Sequence, residues 1–216
     1  MGIDYEPFKK MIVSLSKFKR PLDFLSIINS DPISSFPNGR FFNDPTNKLF
    51  QSFREAWVIG KLASGLQQFS NRLKVKLNTQ DPPDTYIQME GIEYGFEITT
   101  AYKPERKIGQ EYKELEKNPL QGKPYEPGRG SQEGSSWITN AIKNKHNKHY
   151  THQYHLLVYA NFEINSLDPS AISKSCYPWA NAFMSIWVLN RSGNAFSKIC
   201  GTDIFMMVDC CYWYRV

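Results

Sequence analysis

The stretch from Thr85 to Tyr102, TYIQMEGIEYGFEITTAY, constrains the fold more than any other. Its two runs, TYIQME (85–90) and YGFEITTAY (94–102), are rich in β-branched and aromatic residues and flank Gly91, so they predict a β-hairpin. Side chains alternate along a strand. In the second run Phe96 and Ile98 share one face, and Glu97 and Thr99 the other. In the first, Ile87 and Met89 take one face, and Asp84, Tyr86 and Gln88 the other. With the turn placed at Gly91–Ile92, Asp84 falls opposite Thr99 and diagonal to Glu97, about 7–8 Å away at the backbone.

Two carboxylates that close repel, and one is pushed toward its neutral form unless a cation lies between them. Oxygen donors at this separation suit Mg²⁺, which keeps several waters and takes one or two carboxylates, and Mn²⁺ accepts the same donors. The main-chain carbonyl of Ile98 is a candidate third ligand, and Glu55, on the preceding helix, a candidate support. A metal so held activates a water and stabilises charge on a phosphoryl oxygen. The plainer reading has Asp84 capping a turn after Pro82–Pro83 and Glu97 on an exposed sheet face. Burial separates the two readings.

The neighbouring segments supply a sheet for this hairpin to join. TNKLFQSFREAWVIGKLASGLQQF (46–69) repeats apolar residues every three or four positions and predicts a long helix capped by Asp44 or Thr46. Its small residues Ala56, Gly60 and Ala63 permit close packing on a sheet. LKVKLNT (73–79) alternates and reads as a strand stopped by Pro82–Pro83. Residues 135–150 form an amphipathic helix with Trp137, Ile138, Ala141 and Ile142 inward, and YHLLVYANFEI (154–164) is a central strand. SIWVLNRSGNAFSKI (185–199) reads as a second hairpin, and IFMMVDCCYWYRV as a closing strand. Residues 103–136 are an insert with one helix over about 105–117 and a long loop. The expected fold class is α/β, a central mixed β-sheet flanked by helices over residues 46–216. An N-terminal helical appendage (1–45) precedes it, with short elements at 8–18 and 22–28.

Composition removes several classes of function. With 41% hydrophobic and 14% aromatic residues the chain builds a real core rather than a disordered one. No apolar run approaches the ~18 residues of a membrane span, and MGIDYEPFKK lacks the apolar region of a signal peptide, so a soluble, cytoplasmic protein is expected. The net charge of +5 is compatible with a polyanionic partner. Cys176, Cys200, Cys210 and Cys211 form no CxxC pair and predict free thiols. His146, His149, His152 and His155 run from a helix end into a strand, which scatters their directions and argues against zinc.

Pro83-Asp84, Glu97-Ile98-Thr99, Glu55 on the preceding helix and the Lys-rich IKNKHNKHYTHQYHLLVYANF (142–162) together resemble the PD-(D/E)XK, or restriction-endonuclease-like, nuclease superfamily. The resemblance covers about residues 46–200 and implies a restriction-endonuclease-like core. It also implies Mg²⁺ held by Asp84 and Glu97, with hydrolysis of DNA phosphodiester bonds by a metal-activated water. The superfamily places a lysine two residues after the second acid, where this chain has Thr99. Lys143 is the expected replacement, with Lys103 behind it. Lys145 and Lys148 are expected on other faces of the same helix, and with Lys103, Arg106 and Lys107 they read as phosphate contacts. A homodimer suits duplex cutting, because one such site cuts one strand. Thr99 also supports a different class of function, a catalytically inactive nuclease-fold module that binds nucleic acid or a protein partner.

Overall fold

The hairpin is the start of a seven-stranded sheet. The computed structural model describes residues 5–30, 48–80, 82–103, 130–148, 153–162, 167–201 and 208–216. The strands are β1 (Leu73–Leu77), β2 (Thr85–Met89), β3 (Ile92–Ala101), β4 (His155–Ala160), β5 (Ser185–Leu189), β6 (Ala195–Gly201) and β7 (Tyr214–Arg215), and they lie in the sheet in chain order. β1, β2 and β3 form an antiparallel meander. β3, β4 and β5 run parallel, and β6 and β7 return antiparallel. The chain is therefore α/β with a mixed sheet, as its order of patterns predicts.

Helices cover both faces. α1 (Glu6–Leu15), α2 (Pro21–Ile28) and α3 (Lys48–Leu66) pack on one side. Their Phe8, Leu15, Phe24, Ile28, Phe53, Ile59 and Leu62 join Val75, Ile87, Phe96, Ile98 and Leu157 in one core. The two N-terminal helices thus share the core of the sheet, and Lys19 bridges Val75 at its β1 edge. Gly60 makes its close approach to Leu25 and Phe24 of α2 rather than to the sheet. On the other side, α4 (Gly130–His146) and α5 (Pro169–Cys176), followed by a 3-10 stretch at Tyr177–Ala182, pack Ile138, Ile142, Ile172 and Phe183 on Leu156, Val158, Ile186 and Val188. α4 begins at Gly130, earlier than the serines at 135 and 136 suggest. α5 is capped by Asp168, whose carboxylate accepts from Ser170 N at 2.9 Å.

The hairpin turn is displaced from its expected position. Met89 pairs with Ile92, so the loop is Glu90–Gly91. Both loop residues have positive φ, 51° and 86°, the two-residue geometry whose twist matches the flanking strands. Glycine adopts it freely, and glutamate does so at a cost. Glu90→Asn is expected to stabilise the fold by about 0.5–1 kcal/mol, read as a shifted midpoint in urea at unchanged slope. A lower midpoint would refute this account of the turn.

Some expectations lie outside the described residues: the caps Asp44 and Thr46, the helix over 105–117 with most of its loop, Arg106, Lys107, His149, His152 and the first part of the closing strand. None of the four cysteines is in a disulfide.

Candidate active site

The observed register brings the acids closer than the expected one. Thr85 pairs with Phe96, so Asp84, one residue before β2, comes opposite Glu97 rather than Thr99. The two-residue slip preserves which face each side chain takes, so the pair still converges. Asp84 is tied to the strand of its partner: Oδ2 accepts from Ile98 N at 2.6 Å. Its own carbonyl accepts from Asn78 N at 2.9 Å, and Asn78 Nδ2 donates to Pro83 O at 2.7 Å. Glu97 is 0% exposed, deep in the layer between β3 and α4. The plainer reading, an acid on an open sheet face, is thereby excluded.

A buried carboxylate requires a cation, and Lys145 provides it. Its Nζ lies 2.6 Å from Glu97 Oε2 and 3.7 Å from Asp84 Oδ2, and it donates to Ile98 O at 3.2 Å. This corrects the expected placement of the lysines. Lys143 is exposed, and Lys145 is 8% exposed. Two residues turn a helix by about 200°, so Lys143 and Lys145 cannot share a face. Lys145 instead continues the buried stripe Ile138, Ala141, Ile142, lying four positions after Ala141 and three after Ile142. The sequence signal was present: a lysine sits where that stripe calls for an apolar residue.

Glu55 approaches from α3. Gln51 donates to its Oε1 at 2.8 Å. Its pKa is raised to about 8, first by burial and then by the charge of Asp84, against the opposing pull of the Gln51 hydrogen bond, Lys145 and Arg54. Thr99 shares the face of Glu97, half-buried beside Val158. Lys103 lies beyond the end of β3 and Lys148 beyond the end of α4, both exposed. His146 is exposed on α4, whereas His155 is buried on the opposite sheet face and stacks on Phe96, so these two do not converge on a metal.

Among the described residues, no three His, Cys, Asp or Glu side chains cluster about one point. The oxygens that do converge on one cation are two carboxylates and a carbonyl, from Asp84, Glu97 and Ile98, and the cation is the Lys145 ammonium. A hard-oxygen set of this kind fits Mg²⁺ or Mn²⁺, with waters completing the shell.

Compared with family models, curated proteins and solved structures, the chain matches none of them.

Proposed function

We propose that the protein is a metal-dependent nuclease with a restriction-endonuclease-like core that hydrolyses phosphodiester bonds in DNA. The observation that carries this reading is the convergence of Asp84, Glu97 and the Ile98 carbonyl on one buried ammonium. Asp84, Glu97 and Ile98 O would hold a divalent ion, with Glu55 as support. The ion would supply Lewis acidity toward a phosphoryl oxygen and lower the pKa of a water. Lys145 stands in for the lysine that Thr99 replaces. With those oxygens on the ion, its ammonium would give them up and lie beside the phosphate, where negative charge develops as water attacks phosphorus and one P–O ester bond breaks. The buried wall of β3 and α4 lowers the local dielectric and strengthens that stabilisation.

A second reading draws on the same contact. Lys145 already neutralises the acids, so the trio also suits a structural ion pair in an inactive module that binds nucleic acid or protein. The test is hydrolysis of labelled single-stranded and duplex DNA by the wild-type protein with Mg²⁺, Mn²⁺ or EDTA. Cleavage that needs the metal supports the nuclease, and its absence on both substrates leaves the inactive module. No helix among the described residues is long and apolar enough to cross a membrane. The nuclease reading goes with a cytoplasmic protein, dimeric where both strands of a duplex are cut.

A further inference from the structure

The face that carries the acids extends past them into rows of side chains across β1, β2 and β3. The row at the centre is Asn78, Asp84 and Glu97, set by the pairing of Leu77, Thr85 and Phe96. Two residues along, about 6.6 Å away, Lys76, Tyr86 and Gly95 lie side by side. The antiparallel bridge of Lys19 to Val75 sets Phe18 beside Lys76 at the edge. Tyr154 enters from the chain before β4. It lies so close to Gly95 that a Cβ there would stand 2.8 Å from its ring and 2.9 Å from Pro83 Cγ. The next row is Lys74, Gln88 and Glu93.

Phe18, Tyr86 and Tyr154 are each half-exposed, and Lys74 is exposed. Helix α4 packs over β3 and β4. The Lys76 ammonium stands 4.2 Å from the Phe18 ring centre, 4.6 Å from that of Tyr86 and 3.1 Å from Glu93 Oε2. Three rings interleaved with two lysines, one step from the carboxylates, match the chemistry of an unpaired polynucleotide. Its bases stack on π faces while its phosphates seek ammonium groups. A duplex keeps its bases closed to such rings.

We propose that Phe18, Tyr86 and Tyr154, with Lys74 and Lys76, form a stacking platform for single-stranded DNA whose backbone continues into the Lys145–Asp84–Glu97 centre. The assignment of the substrate rests on the nuclease reading above, and the platform itself rests on the rows. Bases occupy the ring faces, and Lys76 leaves its ring contacts for a phosphate.

Binding is measured by fluorescence anisotropy in EDTA, with a labelled oligothymidylate and a duplex of equal length. The single strand is expected to bind more tightly. Tyr86→Leu and Tyr154→Leu should each weaken it about 5- to 150-fold, one base stack's worth, and leave duplex binding unchanged. Tyr86→Trp should restore it, which a folding defect would not allow. Lys74→Gln should reduce the salt slope by about 0.7. Tighter duplex binding, or leucine variants that bind the single strand as the wild type does, overturns the platform. Asp84→Asn is expected to lose metal-dependent cleavage, while Tyr86→Leu added to it still weakens single-strand binding about 5- to 150-fold. Ring-dependent binding without cleavage by the wild type would remove the nuclease reading and leave the platform standing. Cleavage with ring-independent binding would do the reverse.

Discussion

On the nuclease reading, Lys145→Met is expected to impair metal-dependent cleavage and to destabilise the fold, while Lys143→Met does neither. The cleavage loss should be about 10²–10³-fold, the range for removing one group that stabilises developing charge in a dry site. The stability loss should be about 3–5 kcal/mol in the absence of metal, because Glu97 is left fully buried without its cation. A methionine of similar length fills the space, so the loss measures charge rather than a cavity. Lys143 is exposed, and its replacement should stay within about 0.5 kcal/mol. The double variant Glu97→Gln/Lys145→Met separates the two effects. It removes both buried charges and should recover most of the stability, with no recovery of cleavage. A Lys145→Met protein that cleaves at the wild-type rate would eliminate the ammonium from the chemistry. A stable Lys145→Met protein would mean that Glu97 does not depend on it.

The acids were legible in the sequence because strand parity is robust. The turn was expected at Gly91–Ile92 and occurs at Glu90–Gly91, which shifts the pairing by two residues. Two is an even number, so Asp84 and Glu97 stay on one face. A one-residue slip would have separated them. The long helix and the second hairpin were legible for the same kind of reason, one from its three-to-four repeat, the other from its Ser-Gly-Asn turn. The lysine was legible too, in the stripe Ile138, Ala141, Ile142, Lys145, but a charged residue in an apolar stripe is ordinarily assigned to solvent. Only the buried Glu97 across the interface makes that position suit a cation. Helix α5 was not among the expected elements, although Asp168-Pro169 places a cap and a first-turn proline at its start. The rows across β1–β3 depend on register and on the Lys19–Val75 bridge, which no local pattern specifies.

The stability of the metal-free protein should be broadest between about pH 4.5 and 6.5 and should decline on both sides, because the buried His155 and the half-buried Glu55 titrate with opposite sign. His155 is held neutral in the core: its pKa is lowered to about 4, first by burial and then by the nearby charge of Lys198. Ser185 Oγ sits 2.6 Å from its Nδ1 and accepts from Trp187 Nε1 at 2.6 Å, while Phe96 and Tyr94 flank the ring. A depressed histidine pKa means that the unfolded chain binds the proton first. Its contribution is complete above pH 6.5 and is lost as pH falls toward 4, on the order of 3 kcal/mol in all. Glu55 works the other way. Its pKa is raised to about 8 by burial and by Asp84, so the folded protein holds a proton that the unfolded chain releases near 4.5. That contribution is complete below 4.5 and is lost as pH rises toward 8. Between 4.5 and 6.5 the two slopes oppose each other, below that window His155 acts alone, and above it Glu55 does. Urea denaturation across this range should find that His155→Phe flattens the acid limb and Glu55→Gln the alkaline limb, each leaving the other intact. An acid limb that persists in His155→Phe would assign that loss to other groups, and an alkaline limb that persists in Glu55→Gln would remove the half-buried, proton-bearing carboxyl from the edge of the site.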